Sequence, residues 1–210
     1  MNLTRCDISD DDAVKQRARD VASQTGGGLD LLINNAGFLT PGPLEVLSLD
    51  AIRREFDVNV FGSLSVINSF LAALRHALGC IVQISTWTAH MPMPFNGPSG
   101  ASKAAVEVLA AVYRAELKRF GIDVVVVVPG NMRTGGPAKT AAALQRVADA
   151  MTAEQRELYG QTFGCVDIYK MDADGKAVEH WDTLQVVGDP KNSAPWLAPN
   201  VPRANSHGMF

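Results

Sequence analysis

The stretch that decides the fold is Cys80-Ile81-Val82-Gln83-Ile84-Ser85-Thr86. Its first five residues form a short, mostly apolar run that predicts a buried strand, and two hydroxyl side chains follow where this strand ends. A helical pattern over 99–120 comes next and stops at Gly121, and a β-branched run over 122–128 predicts another strand. Strand, helix and strand in succession indicate parallel strands joined by a crossover helix.

The same alternation continues upstream of this stretch. A helical pattern over 12–25 ends in three glycines, and an apolar run over 29–33 predicts a further buried strand. A long helical pattern then covers 50–78, with apolar side chains at helical spacing. Together these elements predict an α/β fold with a Rossmann-like, doubly wound parallel sheet, in which ligands bind at the carboxyl ends of the strands.

The composition predicts a folded, cytoplasmic protein. Of 210 residues, 47% are hydrophobic and 20% charged, which is enough for one buried core and a short appendage. The net charge of −3 argues against nucleic acid as a partner, and we expect neither a signal peptide nor a membrane span. Cys6, Cys80 and Cys165 lack metal-ligand spacing, so we expect no metal site.

Several chemically informative residues fall near the predicted strand ends. Residues 34–37 (Asn-Asn-Ala-Gly) are small enough to let a ligand approach the backbone, although an ordinary turn is the alternative. Asn59 lies in mid-helix, where its amide is locally unfavourable, so either it has a polar partner or it is solvated. Lys103 lies one helical turn after Ser99 on the same face, and a surface lysine is the alternative interpretation.

These motifs, in this order, resemble the short-chain dehydrogenase/reductases. The resemblance rests on Asn34-Asn35-Ala36-Gly37, Asn59, Ile84-Ser85-Thr86, Ser99 with Lys103, and Pro129-Gly130-Asn131-Met132-Arg133-Thr134. It implies NAD(P)-dependent oxidation or reduction of a hydroxyl or carbonyl compound. It also implies a homo-oligomer that assembles through the helices carrying Asn59 and Lys103.

The resemblance gives each motif a role. Thr86 would orient the substrate oxygen, Asn59 would hold a water that relays protons, and Lys103 would bind the nicotinamide ribose and lower the pKa of a neighbouring hydroxyl. The residues implied to contact NAD or NADP are Asp7, Asn35, Ala36, Gly37, Lys103, Pro129, Gly130 and Thr134. Met91, Met93 and Phe95 would form an apolar wall, which predicts a small apolar alcohol or ketone as substrate.

Ser99 is the first departure from the family pattern, because the family places a tyrosine there as the proton-transfer residue. A serine hydroxyl is a much weaker acid than a phenol, and its oxygen ends a ring's length short of the substrate. Loss of a positioned acid or base costs about 10²–10⁴ in rate. We therefore expect weak or absent activity.

The second departure is that the first two βα units of the family, with their glycine-rich pyrophosphate turn, have no counterpart here. Residues 1–7 resemble the third strand of the family, with Asp7 at the position that contacts adenine. Without the two units, the strand over 29–33 is predicted to present an apolar open edge. The residues that choose NAD or NADP lie in the part without a counterpart, so both cofactors stay open.

Residues 164–210 no longer resemble this family, so we predict a partial dinucleotide-binding domain over 1–163 followed by a second segment. Two predicted strands around Asp174-Gly175 form a β-hairpin. The stretch 178–185 and the last six residues resemble the end of SnoaL-like polyketide cyclases. There, His180 and Asp182 would share one face of a strand as acid/base groups, with an exposed hairpin as the alternative.

The sequence thus supports three hypotheses about function. The first is a weak or inactive short-chain dehydrogenase/reductase, and the second is a non-catalytic interaction protein or fusion product. The third is cyclase or hydrolase chemistry at His180 and Asp182. Cofactor binding distinguishes the first two, and a His180→Ala variant would affect only the third.

Overall fold

A computed structural model of the chain describes residues 4–130, 136–164, 169–171 and 177–180. It contains two compact units, residues 1–133 and residues 134–210. The predicted boundary at residue 163 marks where the family resemblance ends, and it stays a prediction. Each unit is described separately.

The first unit is built on a parallel sheet of three strands in the order β1 (Leu31–Asn34), β2 (Cys80–Ile84), β3 (Asp123–Val127). The register aligns Ile33 with Val82 and Val82 with Val125. All three strands end at the same edge of the sheet, because they are parallel and almost in step. The α/β prediction with a Rossmann-like parallel sheet is confirmed, and β2 has the predicted bounds.

Helices cover one face of this sheet. The helices of the first unit are α1 (Asp11–Thr25), α2 (Leu49–Phe56), α3 (Ser63–Ala77) and α4 (Gly97–Leu117). Since β1, β2 and β3 follow one another in a single direction across the sheet, right-handed crossovers place α3 and α4 on the same side. The core forms there, from Ile67, Leu74, Ile81, Ala110, Leu117, Ile122 and Val124.

The other face of the sheet is apolar and exposed in the described part of the first unit. Leu31, Ile33, Val125 and Val127 lie on this face, and Ile33 is 57% exposed. Parallel sheets are normally covered on both sides, so a bare face of this kind is unusual. The outer edge of β1 is also open, since β2 is its only pairing partner among the described strands. The predicted apolar edge at this strand is confirmed.

The helix predicted over 50–78 is interrupted by a π-helical turn at Asp57–Gly62, which joins α2 to α3. Thus one continuous helical rod runs over Leu49–Ala77; it is long enough to cross a membrane, and an 18-residue window within it has a mean hydropathy of 1.4. Ile67 and Leu74 of this rod are core residues under the sheet, and core helices pass the same test. The absence of a membrane partner stays a prediction.

The predicted first helix is confirmed with a small shift. Asp10 is its N-cap, and the carboxylate accepts a hydrogen bond from the Ala13 N–H at 3.0 Å. The helix ends at Gly26, whose φ of 67° is left-handed backbone that glycine adopts without strain. It packs against α3.

The strand that the resemblance implied over residues 1–7 is wrong for the described part of it. Residues 4–7 form no strand and lead into a turn before α1. A single strand needs a neighbour to satisfy its backbone N–H and C=O groups, and the described chain offers none beside these residues. Asp7 therefore does not lie at the end of a strand.

The second unit contains helices α5 (Gly136–Ala150) and α6 (Ala153–Gly164). Two short strands follow, β4 (Tyr169–Met171) and β5 (Ala177–His180), and they pair antiparallel. Asp174-Gly175 and Asp182 lie outside the described residues, as does the side chain of His180. The hairpin tail and its cyclase resemblance stay predictions.

Candidate active site

Three loops meet at the carboxyl edge of the sheet. Residues 35–37 leave β1, Ser85 and Thr86 leave β2, and residues 128–130 leave β3. Asn35, Ala36, Gly37 and Gly130 are exposed, and Pro129 is half-buried. The structure thus brings three of the sequence motifs to one edge, where ligands of open α/β sheets bind.

Asn59 ties the first of these loops to the helical layer. It lies in the π-helical turn and is fully buried. Its Nδ2 donates to the carbonyl oxygen of Phe38 at 2.9 Å and to Ser102 Oγ at 3.0 Å, and its Oδ1 accepts from the Phe38 N–H at 3.1 Å. The mid-helix asparagine therefore has polar partners, and the solvated alternative is wrong.

Glu55 is a buried carboxylate beside Asn59, four residues earlier in the rod. Its side chain is 0% exposed. One oxygen, Oε2, accepts the backbone N–H of Thr40 at 2.7 Å, and the other, Oε1, accepts from Asn59 Nδ2 at 3.4 Å. Burial raises the pKa of this carboxyl, while the Thr40 hydrogen bond and the charge of Lys103 lower it.

Lys103 is a half-buried lysine whose amine lies at the strand ends. Its Nζ donates to the carbonyl oxygen of Ile84, the last residue of β2, at 2.9 Å. Burial lowers the pKa of this ammonium, and the charge of Glu55 raises it. The alternative of a solvated surface lysine is therefore wrong.

Gly37 lies directly against these two side chains. A Cβ built on Gly37 would stand 2.8 Å from Asn59 Oδ1 and 3.5 Å from Lys103 Nζ. Only a glycine lets the loop after β1 approach the amide and the ammonium this closely. Asn59, Lys103 and Gly37 therefore form one cluster at the sheet edge.

Ser99 is buried in the first turn of α4, and its carbonyl oxygen accepts a hydrogen bond from Ser102 Oγ at 3.0 Å. Lys103 follows it by one turn, as predicted. The start of α4 lies close to the segment after β2, because a Cβ on Gly100 would stand 2.8 Å from the Thr88 carbonyl oxygen. Ser99 is thus held near the strand end by backbone contact.

Thr86 directly follows β2 and precedes a short 3₁₀ turn over Trp87–Ala89. Its Oγ1 accepts a hydrogen bond of 3.4 Å from Thr88 Oγ1. Its neighbour Ser85 faces the helices, where the hydroxyl donates to Glu107, and the same carboxylate is paired with His90 Nε2 at 2.8 Å. The two hydroxyls after β2 thus have different hydrogen-bond partners, Glu107 for Ser85 and Thr88 for Thr86.

Two of the predicted cofactor residues are not brought to this cluster in the described structure. Asp7 is an exposed residue in the turn before α1, where its Oδ1 accepts from the backbone N–H and the hydroxyl of Ser9 at 3.0 and 2.7 Å. These hydrogen bonds lower the pKa of Asp7. Thr134 lies outside the described residues.

The cluster fits the nicotinamide ribose end of a dinucleotide. An ammonium carries three N–H donors, and Lys103 directs one of them to Ile84. The glycine beside it leaves room that a Cβ would fill. For the pyrophosphate, the sequence has no glycine-rich Thr-Gly-x-x-x-Gly-x-Gly turn. The described residues thus fit the nicotinamide ribose end of the cofactor and offer no glycine-rich turn for its pyrophosphate.

Two buried residues that contact Asn59 were not predicted from the sequence, Glu55 and Ser102. Glu55 precedes Asn59 by four residues, a spacing that places both on one helix face. Ser102 follows Ser99 by three, which is also a same-face spacing. These spacings can be recognised in the sequence. A glutamate in a helix is usually solvated, however, and the sequence pattern does not indicate that Glu55 is buried.

Comparison with known proteins identifies the family to which this chain is similar. The family model of the short chain dehydrogenases matches residues 1–156. An NADPH-dependent 1-acyldihydroxyacetone phosphate reductase from Schizosaccharomyces pombe is 31% identical over 134 residues, which are 64% of this chain and 45% of that protein. The human 17-beta-hydroxysteroid dehydrogenase type 2 is 33% identical over 168 residues, 78% of this chain and 43% of that protein.

Solved structures give the same result. A short-chain dehydrogenase from Streptomyces avermitilis superposes with a TM-score of 0.58 at 30% identity, over 64% of this chain and 48% of that one. A metagenomic short-chain oxidoreductase in complex with NADP superposes with a TM-score of 0.58 at 27% identity, over 70% of this chain and 67% of that one. The chain spans about half the length of the curated relatives it matches. From the family match, the motifs and the fold together, the chain belongs to the short-chain dehydrogenase family.

Proposed function

We propose that this chain binds NAD or NADP at the carboxyl edge of its sheet and acts, weakly, on a small apolar alcohol or ketone. The observation that carries the proposal is the cluster of Lys103, Asn59 and Gly37 at the ends of β1 and β2. Its members come from three separate sequence motifs, and each lies where a dinucleotide ribose can be bound.

In this proposal the nicotinamide ring supplies the chemistry of hydride transfer when it is bound. Lys103 binds ribose hydroxyls through its ammonium, and Asn59 keeps the loop after β1 in place through its hydrogen bonds to Phe38. Thr86, directly after β2, orients the substrate oxygen by donating a hydrogen bond from its hydroxyl. These residues prepare the site for hydride transfer, and none of them is an efficient proton donor.

Ser99 limits the rate in this proposal. It occupies the position from which a proton must reach or leave the substrate oxygen, and its alkanol hydroxyl is too weak an acid and too short for this task. Catalysis without a positioned acid or base is about 10²–10⁴ slower. Residual turnover then depends on Thr86 or on a bound water.

An apolar substrate is supported by the segment between β2 and α4. Met91 is exposed there, and Phe95 has a left-handed φ of 65°, which is uncommon for an aromatic residue. Its carbonyl oxygen accepts the Gly42 N–H at 2.8 Å, so the backbone of this segment is attached to the loop after β1. The side chains of Met91, Met93 and Phe95 offer an apolar surface beside the start of α4.

The choice between the two cofactors stays open. The Schizosaccharomyces pombe relative is described as NADPH-dependent, and the metagenomic structure holds NADP. These proteins support a nicotinamide cofactor for this chain. The residues that separate NAD from NADP in the family have no counterpart in the sequence, so both cofactors belong in the experiment.

Titration of the purified chain with NADH and with NADPH tests this proposal. We expect saturable quenching of tryptophan fluorescence and a melting temperature that rises with dinucleotide concentration, because a ligand that binds only the folded state stabilises it. AMP, which lacks the nicotinamide ribose, is the matched control and should bind more weakly. No saturation by either cofactor at millimolar concentration would exclude the dehydrogenase function.

The second candidate is a non-catalytic interaction protein that assembles with a second copy of itself. Phe61 in the π-helical turn is 60% exposed, and Val108 in α4 is 65% exposed. Val112 is also exposed and follows Val108 by one turn, so the two valines form an apolar stripe. These side chains lie on the helices that carry Asn59 and Lys103, where the sequence predicted an oligomer contact.

Sedimentation at several protein concentrations tests the second candidate. We expect the wild-type chain to dimerise and a Phe61→Ser, Val108→Ser variant to stay monomeric with an unchanged circular dichroism spectrum. Val125→Ser is the matched control, since this exposed valine lies on the bare sheet face instead. A wild-type chain that is monomeric at all concentrations would rule out a self-associating interaction protein.

A further inference from the structure

Glu55 is a buried carboxylate that does not belong to the site residues predicted from the sequence. It is 0% exposed, and a fully buried ionisable side chain needs partners that repay the loss of water. Glu55 takes no part in proton transfer at the substrate as described above. Its two oxygens are nevertheless directed at two parts of the candidate active site, the loop after β1 and Asn59.

Each oxygen of Glu55 has a separate structural task. Oε2 accepts the Thr40 N–H at 2.7 Å, a short bond of the charge-assisted kind, and so fixes the far end of the loop that begins at Asn34. Oε1 lies 3.4 Å from Asn59 Nδ2, which also reaches Phe38 and Ser102. The carboxylate thus holds the loop and the amide that supports it.

The charge of Glu55 has a further effect, because the partner with opposite charge is Lys103. The charge of Lys103 lowers the pKa of Glu55, and the charge of Glu55 raises the pKa of Lys103. Both are withdrawn from water, and the interaction between opposite charges is strengthened where water is excluded. Asn59 contacts Glu55 directly, and a Cβ on Gly37 would reach both Asn59 Oδ1 and Lys103 Nζ, so the same cluster contains both charges.

We propose that Glu55 is a positioning residue of the dinucleotide site: through Thr40 and Asn59 it fixes the loop over 35–40, and it is the counter-charge of the half-buried Lys103 amine. This inference deepens the proposed function and rests on it for the identity of the ligand. The effect of the Glu55 charge on the Lys103 amine requires no bound ligand, so it can be tested separately from cofactor binding.

The experiment compares wild-type protein with Glu55→Gln, which removes the charge and keeps the shape. The first readout is the pH dependence of Lys103 acylation by an amine-reactive reagent, followed by mass spectrometry, because only the neutral amine reacts. The second is the affinity for NADH and NADPH over the same pH range. Asp57→Asn is the matched control, since it removes an equal charge from an exposed position two residues away.

We expect Glu55→Gln to shift the Lys103 acylation midpoint to lower pH and to weaken dinucleotide binding about tenfold at alkaline pH, where the ammonium is lost. Asp57→Asn should follow the wild type in both readouts. An unshifted acylation midpoint in Glu55→Gln would overturn the inference. A shifted midpoint in a chain that binds neither dinucleotide would support the action of Glu55 on Lys103 and overturn the proposed function.

A second variant covers the case in which Glu55→Gln does not fold. Glu55→Asp keeps the charge but withdraws it by one methylene, so the acylation midpoint should move in the same direction by a smaller amount. Hydrogen exchange at the Thr40 amide should be faster in this variant, because the shorter side chain no longer reaches it. Wild-type values in both measurements would overturn the inference.

Discussion

Lys103 Nζ donates a 2.9 Å hydrogen bond to the carbonyl oxygen of Ile84, and this bond attaches the first turns of α4 to the end of β2. The lysine therefore has a defined position even without a ligand. It lies beside Gly37 of the loop after β1, so a dinucleotide would meet a preorganised ammonium.

Replacing Lys103 by methionine should reduce dinucleotide affinity about ten- to a hundredfold, because a hydrogen bond to a charged group is worth about 1.5–3 kcal/mol. Fluorescence titration with NADH measures the change. Lys118→Met, which removes an exposed lysine just after α4, is the control and should bind like the wild type. Equal affinity in both variants would show that Lys103 does not contact the cofactor.

Replacing Ser99 by tyrosine should raise the rate of ketone reduction by about 10²–10⁴, because it supplies the missing proton-transfer group. The assay follows NADPH or NADH oxidation with a small apolar ketone. Ser99→Phe has the same bulk without the hydroxyl, so it separates the acid from the filling of space. If both variants react at the wild-type rate, proton transfer is not the step that Ser99 limits.

Replacing Gly37 by alanine should lower the free energy of unfolding by about 1–3 kcal/mol, because the new Cβ would stand 2.8 Å from Asn59 Oδ1. The buried amide is held by Phe38 and Ser102 and cannot move freely. Urea unfolding measures the effect. Gly130→Ala is the matched control, since a Cβ there meets nothing within 4 Å, and a comparable loss in both variants would contradict the predicted close contact.

Stability should depend on pH through Glu55. Burial raises the pKa of this carboxyl above the ordinary glutamate value, so the folded state binds the proton more tightly than the unfolded chain does. Its contribution to stability is therefore complete at acid pH and is lost as the pH rises through the raised pKa. The unfolding free energy of wild type relative to Glu55→Gln should fall from acid to neutral pH.

Chemical denaturation of both proteins over this pH range measures the difference. Asp57→Asn serves again as the exposed control and should keep a constant difference from the wild type. If the free energy of unfolding of the wild type relative to Glu55→Gln instead rises toward neutral pH, the prediction is wrong. In that case the hydrogen bonds stabilise the charged carboxylate by more than burial destabilises it.

Much of the first unit could be predicted from the sequence. The run Cys80–Ile84 has the observed strand bounds, because its apolar residues are followed directly by two hydroxyl residues that leave the sheet. Lys103 could be placed near the strand ends from its spacing to Ser99. These features depend on residues that are close together in the sequence, so hydrophobic patterns and helical spacing predict them.

Other features depend on contacts between distant parts of the chain. Residues 4–7 of the strand expected over 1–7 have no strand beside them in the described part of the chain, and a hydrophobic pattern does not show whether a neighbour is present. Burial of Glu55 depends on Thr40 and Lys103, which belong to a loop and to another helix. The bare sheet face follows from the direction in which the strands succeed one another, and this order is a property of the fold.

The π-helical turn at Asp57–Gly62 sets the rotational phase between the two halves of the long rod. Glu55, Asn59, Ser63 and Ile67 are all buried, a repeat of four residues that an α-helix of 3.6 residues per turn could not keep on one face without drift. The wider turn absorbs the difference. With one residue fewer, this turn would close as an ordinary α-helix, and Glu55 and Asn59 would drift from the face on which Ser63 and Ile67 are buried. The number of residues in the turn, more than their identity, therefore keeps these buried side chains in line.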